Sequence, residues 1–192
     1  PSDPSARCGT SSELRGGAPV LWNAGIPALS VSATAPALTA ADRPVGFQGI
    51  ARFVYNDLDA AGAAVTYAQK GPKFSKVATL HDGSLYAEQI VKVFEAKFKE
   101  AGGTIVASEA IGPNDTDLRP VLTRMGTASP EMIFAPIFVS ASAYLVRQAK
   151  EIPSLAKVQV LGSDAVLAPA FMEAAGEPVI GYRLTGIDND PS

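Results

Sequence analysis

The stretch KVATLHDGSLYAEQIVKVFEAKFKEAGGTIVA, residues 76–107, decides the fold. It opens on Val77-Ala78-Thr79-Leu80, a run without polar alternation that reads as a strand buried on both faces. Ile90, Val91, Phe94 and Phe98 then fall at helical spacing between Glu88 and Ala101, and Gly102-Gly103 supplies the usual helix stop. Thr104-Ile105-Val106-Ala107 is a second strand. A strand, a crossover helix and another strand of this length make a parallel unit.

The alternation continues downstream. Thr116 is placed to cap a helix carrying Leu118, Val121, Leu122 and Met125 on one face, with Pro120 tolerated in its first turn. Met132-Ile133-Phe134-Ala135 reads as a strand and residues 142–150 as a helix with Leu145, Val146 and Ala149 inward. Val158-Gln159-Val160-Leu161 is a further strand, followed by a short helix over residues 169–175 and an extended stretch over 179–186. Repeated units of this kind predict an α/β fold, a parallel sheet with helices on both faces. Upstream, residues 12–23 read as a helix weakened by Gly16-Gly17 and Pro19. Residues 26–31 read as a strand, 32–44 as a loop, 47–53 as extended and 57–69 as an alanine-rich helix. The irregular stretch places a boundary near Ala51, dividing residues 1–51 from 52–192.

Composition narrows the function. The 192 residues are 47% hydrophobic and 18% charged, with a net charge of -3. That suffices for one sizeable core, and without a basic run it leaves no electrostatic footprint for nucleic acid. No stretch approaches the roughly 20 apolar residues that span a bilayer, so no membrane insertion is expected. Pro1 to Ala6 lack a basic start with an apolar core behind it, so no signal peptide is read there. Cys8 is the single cysteine. It is an inert small residue, half of a bridge whose partner lies elsewhere, or a reactive thiol, although no general base is near it in sequence.

Catalytic motifs are absent from the sequence. There is no G-x-S-x-G elbow, no G-x-x-x-x-G-K phosphate loop and no G-x-G-x-x-G. One histidine and one cysteine cannot build an imidazole–thiolate metal site. Asn114, Asp115 and Asp117 do not match the spacing of the twelve-residue calcium loop and read as a polar turn. Neither enzyme activity nor a cofactor is expected.

Ligands of open parallel sheets bind outside the carboxyl ends of the strands. The residues following each strand are therefore the candidates. They are His81-Asp82-Gly83-Ser84-Leu85-Tyr86, Pro136-Ile137-Phe138-Val139-Ser140, Gly162-Ser163-Asp164 and Ser32-Ala33-Thr34. Together they offer aromatics, small hydroxyls and a carboxylate, a set suited to a small zwitterion with an apolar side chain. Each has a plainer reading: His81 as a strand-end residue, Asp82 and Asp164 as turn or cap residues, Tyr86 and Phe138 as core, Ser32 and Thr34 as loop.

Several segments carry a resemblance. Residues 24–39, AGIPALSVSATAPALT, resemble the "agip-is-satnp-lt" stretch of the leucine/isoleucine/valine-binding branch of type I periplasmic binding proteins. His81 to Tyr86 resemble its "hD-s-YG" turn, with Ala87 in place of the usual glycine. Asp117-Leu118 to Leu122, Arg147-Gln148-Ala149 and Leu161-Gly162-Ser163-Asp164 follow in the same order. The resemblance implies a two-lobed binder, here a truncated fragment: residues 1–51 a remnant of lobe one with its crossover, 52–192 the second lobe. It implies hydroxyls for the ligand carboxylate at Ser11 or Ser12, then Ser32 (or its backbone) and Thr34, with Ala33 between them in the ligand-binding set. Tyr86 and Phe138 would pack on the ligand, and Asp164, often glutamate in relatives, would receive the ammonium. Cys8 would match a cysteine that pairs further upstream.

The function so implied is the extracytoplasmic, periplasmic solute-binding component of an ABC importer. It would take a branched-chain or other aliphatic amino acid and present it to a membrane permease. The alternatives are a receptor or repressor sensing domain of the same fold, a binder of aromatic or aliphatic carboxylates or amides, and a flavodoxin-like enzyme. The last lacks its phosphate loop.

Overall fold

A computed structural model describes residues 9–186, so Cys8 lies outside the described residues. In chain order, α1 spans Ser11–Asn23, β1 Ala28–Ser30, β2 Ile50–Arg52 and α2 Asp57–Lys70. Then β3 spans Lys76–His81, α3 Leu85–Glu100, β4 Thr104–Ala110, α4 Arg119–Thr127, β5 Met132–Phe134 and α5 Val139–Glu151. β6 at Gln159–Ser163, α6 at Pro169–Ala175 and β7 at Arg183–Thr185 complete the described elements.

The larger sheet has the order β4-β3-β5-β6-β7, and every pairing in it is parallel. This is the α/β architecture the alternation predicts. The chain leaves β3 toward β4 on one side and returns to β5 on the other, which makes the carboxyl ends of β3 and β5 a topological switch point. A second, two-stranded sheet pairs β1 with β2, Ala28 opposite Ile50 and Ser30 opposite Arg52. Ala51 thus sits inside β2, and residues 53–56 form the crossover to α2.

Packing follows from residue size. Phe94 lies 4.3 Å from Phe134 and 5.4 Å from Phe98 between ring centroids, filling the space between α3 and β5. Ala61, Ala64 and Ala68 of α2 are fully buried in this core; methyl side chains there let α2 approach α3 closely. Leu14, Ala18, Ala28, Leu38 and Ile50 form a separate core beneath the small sheet, and Leu85 of α3 packs against it. A third cluster joins Ala143 and Val146 of α5 to Phe171 and Ala175 of α6.

Several boundaries move from the sequence reading, each for a local reason. α3 begins at Leu85 instead of Glu88 because Ser84 caps it, its hydroxyl accepting from the Ala87 N–H at 3.1 Å. It ends in a Schellman arrangement: Gly102, at φ +86°, bonds to Lys99, and Gly103 bonds to Phe98. β4 extends to Ala110 because it pairs with β3 as far as His81, across a register shift at Val77/Ala78. α5 starts at Val139, so two residues read as loop belong to its first turn. Thr116 does not cap α4; its carbonyl accepts from the Gln148 amide at 2.7 Å, and the Gln148 oxygen accepts from the buried Leu118 N–H at 2.6 Å. A glutamine on α5 thus ties down the loop that a capping threonine was expected to close.

Candidate functional site

The cleft lies between the two sheets, where the loops after β1, β3, β5 and β6 meet the start of α1. Its volume is about 300 Å³, and its lining includes Ser11, Ser32, Thr34, Tyr55, Tyr86, Phe138 and Asp164. Six of the eight residues singled out from the sequence therefore converge on one concavity. Ser12 and Ala33 do not. The Ser12 hydroxyl accepts from the Leu85 N–H at 3.1 Å, joining α1 to α3, and the Ala33 N–H is taken by the Ser30 hydroxyl at 2.8 Å.

One end of the cleft is built from small hydroxyls. Ser30, at the end of β1, accepts from the N–H groups of Ser32 and Ala33 and so fixes the turn that carries them. The Ser32 hydroxyl donates to the Gly9 carbonyl at 3.0 Å, and the Ser11 hydroxyl accepts from the Ala35 N–H at 3.2 Å. Arg52, at the end of β2, holds the loop from behind, donating to the Ala35 carbonyl at 3.1 Å and to the Thr39 hydroxyl. α1 starts here with a Thr10–Glu13 capping box, so the positive end of its dipole faces the hydroxyls.

The other end is acidic. Asp164 follows β6, and its Oδ2 accepts from the Tyr55 hydroxyl at 2.6 Å. It does not cap α6: the N-cap there is Ala168, with no side-chain bond. Burial, together with the hydrogen bond to Asp164 and its charge, pushes the Tyr55 phenol far above its ordinary range, so the hydroxyl stays a donor. Beside Thr34 lies Asp57, 0% exposed, its N–H bonded to the Thr34 carbonyl at 3.1 Å. Neither Asp57 carboxylate oxygen nor the Thr34 hydroxyl has a partner at hydrogen-bonding geometry. Burial pushes the Asp57 carboxyl up to about 6, and the charge of Asp164 adds to the rise; the nearby Thr34 hydroxyl and the Arg52 guanidinium pull it back.

An aromatic wall joins the two ends. The rings of Tyr86 and Phe138 lie 5.7 Å apart at 39°. Tyr86 is buried and donates to the Ser163 hydroxyl at 2.7 Å, so β6 holds the ring in place; burial raises its phenol well above the usual range. Phe138 is 39% exposed and turned to the cleft, and Val139 packs against the cluster between α5 and α6.

The plainer readings hold elsewhere. Gly83 donates to His81 Nδ1 at 3.2 Å and Ser84 to Asp82 Oδ1 at 3.0 Å, both inside the turn. Asp115 accepts from the Gly112 N–H at 2.7 Å, and Asp117 pairs with Arg119 at 2.9 Å, so these carboxylates close the polar turn before α4. Among the described residues no group of three His, Cys, Asp or Glu side chains is arranged to hold a metal ion, and no helix is long and apolar enough to cross a membrane.

Tyr55, which lines the cleft, and Asp57, buried beside Thr34, are the residues of this region the sequence did not announce. An aspartate in a first helical turn is an ordinary companion of the helix dipole, and Tyr55 stands one place before the Asn56 cap. The available signal was Arg52, a charge at the end of an apolar strand that calls for a buried counter-charge nearby.

Comparison with known proteins returns one answer. Residues 7–186 match the family described as periplasmic binding protein. The chain is 26% identical over 166 residues to Leu/Ile/Val-binding protein homolog 3 of Brucella melitensis, covering 86% of this chain and 44% of that protein. Its structure is similar to that of a periplasmic binding protein type 1 from Bordetella pertussis Tohama I, with a TM-score of 0.80 at 22% identity, covering 90% of this chain and 46% of that one. It is likewise similar to the branched-chain amino acid transporter substrate binding protein of Streptococcus pneumoniae, solved in complex with isoleucine. That TM-score is 0.74 at 26% identity, covering 88% of this chain and 46% of the other. The chain spans a little under half the length of the relatives it matches.

Proposed function

The chain belongs to the periplasmic binding protein family, and from that premise we propose that its cleft takes a small amino acid with an aliphatic side chain, as the extracytoplasmic solute-binding component of an ABC importer. The observation that carries this reading is the polarity of the cleft. Hydroxyls at a helix N-terminus stand at one end, Asp164 at the other, and the Tyr86–Phe138 pair between them. A ligand carboxylate suits the first end. An ammonium suits the second, where it would donate to the Asp164 carboxylate. The aromatic pair suits a branched aliphatic chain, and about 300 Å³ is at the small end of ligand cavities.

In this reading α1, β1 and β2 belong to a first lobe and α2 onward to a second, joined at residues 53–56. Ligand held from both sides favours the closed state, because only that state contacts it from both lobes. A membrane permease then distinguishes the closed form from the open one.

The test is a thermal-shift screen of the intact protein against the common L-amino acids and a set of aliphatic and aromatic carboxylates. A ligand at about a hundred times its Kd stabilises the folded state by roughly 2.7 kcal/mol. Shifts by the aliphatic amino acids support the reading, whether or not aliphatic carboxylates also shift the protein, and a screen in which no aliphatic amino acid shifts it removes the reading. One observation favours a second ligand class: Asp164 already has a donor in Tyr55.

A further inference from the structure

We propose that Tyr55 is a specificity-determining residue of the cleft, holding Asp164 as a satisfied carboxylate and thereby admitting small aliphatic carboxylates that carry no amine. The inference rests on the cleft assignment above and extends it to a residue outside the expected set.

A carboxylate facing a ligand cavity loses water when the ligand arrives, and it must then find a donor or repel the ligand. A zwitterion brings an ammonium; a plain aliphatic acid brings nothing. Neither lysine nor arginine lines the cleft among the described residues. The donor to Asp164 is instead the Tyr55 hydroxyl, at 2.6 Å, the length of a hydrogen bond to an ionised acceptor.

Tyr55 is built for that task. It comes from the crossover between the sheets, while Asp164 follows β6, so the bond spans the two parts of the cleft wall. Asn56 caps α2 immediately afterwards, its side chain accepting from the Leu58 N–H at 2.8 Å, which fixes the backbone beside the tyrosine. Tyr55 also lines a neighbouring cavity together with Phe53, Val54, Asp59 and Ala60. With Oδ2 taken, Oδ1 remains for a ligand ammonium when there is one. When there is none, Asp164 keeps its partner and its charge is not stranded. Tyr55 thus makes the amine optional without removing its binding place.

The test is calorimetric titration of the intact protein with L-leucine and with 4-methylpentanoate, which is leucine without its amine. Wild type should bind both. Tyr55→Phe should weaken 4-methylpentanoate by roughly 10- to 100-fold, the range for a lost hydrogen bond to an ionised group, and L-leucine by a few-fold at most. Asp164→Asn supplies the independent arm: with no charge to satisfy, it should bind 4-methylpentanoate at least as well as wild type and L-leucine far less well. Equal losses for both ligands in Tyr55→Phe would reduce Tyr55 to a structural residue and overturn the proposal. So would a wild type that binds L-leucine but not 4-methylpentanoate, a result that leaves the amino acid reading standing. If neither ligand binds wild type, the cleft assignment falls and takes this proposal with it.

Discussion

Replacing Asp57 with asparagine should stabilise the protein at neutral pH, and the gain should fade in acid. Asp57 is fully buried and neither of its oxygens has a partner, which moves its carboxyl from 3.8 to about 6. At about 1.4 kcal/mol per pH unit the rise corresponds to roughly 3 kcal/mol. The sign follows from proton counting. Between about pH 4 and 6 the folded protein binds more protons at this site than the unfolded chain, so stability falls as pH rises through that window. Above it the penalty is present in full, and below it the group is protonated in both states and costs nothing.

Asparagine has no charge to desolvate, and its amide can donate to the orphaned Thr34 hydroxyl. Asp57→Asn should therefore exceed wild type by about 2–3 kcal/mol at pH 7.5 and by little at pH 4. Urea unfolding followed by circular dichroism at pH 7.5, 6.0 and 4.5 measures the difference directly. A variant no more stable than wild type at pH 7.5, or an advantage independent of pH, would show that the buried Asp57 charge carries no such penalty.

Three further outcomes test the scaffold around the cleft. Gln148→Ala leaves the buried Leu118 N–H and the Thr116 carbonyl without their partner; it should cost about 1–3 kcal/mol in urea unfolding. Gly162→Ala would put a methyl group 1.7 Å from the Tyr182 hydroxyl oxygen. It should lower the melting temperature by several degrees, an overpacking cost of about 1–3 kcal/mol, with partial recovery in Gly162→Ala/Tyr182→Phe. Tyr86→Phe removes the donor to Ser163 but keeps the ring against Phe138. Stability should fall by about 1 kcal/mol in the same urea assay, while titration finds ligand affinity changed less than threefold.

Much of this architecture was legible in the residues. A continuous apolar run and a period-3.6 pattern separate cleanly where a strand is buried on both faces and a helix on one, as in the stretch from Val77 to Phe98. What escaped was decided by contacts between distant residues. Val139 and Ser140 read as part of the stretch following β5, yet they form the first turn of α5. Thr116 was the natural cap by local chemistry, and Gln148, 32 residues away, took over the loop it would have closed. The cleft divides in the same way. Residues that follow strands, such as Tyr86, Phe138 and Asp164, are fixed by topology and could be named from it. Ser12 and Ala33 sit beside cleft residues in sequence but turn elsewhere, because one bonds to α3 and the other is held by Ser30. Tyr55 and Asp57 gain their significance only when the crossover folds against β6 and the loop after β1, which no local pattern encodes.

The central claim is that the acidic end of the cleft receives the ammonium of an aliphatic amino acid. The most direct measurement is calorimetric titration of L-isoleucine into the intact protein, wild type beside Asp164→Asn. One-to-one binding by wild type is expected, with a loss of roughly 30-fold or more in the variant, the cost of removing one partner of a desolvated charge pair. Wild type that does not bind, or a variant that binds as tightly as wild type, would contradict it.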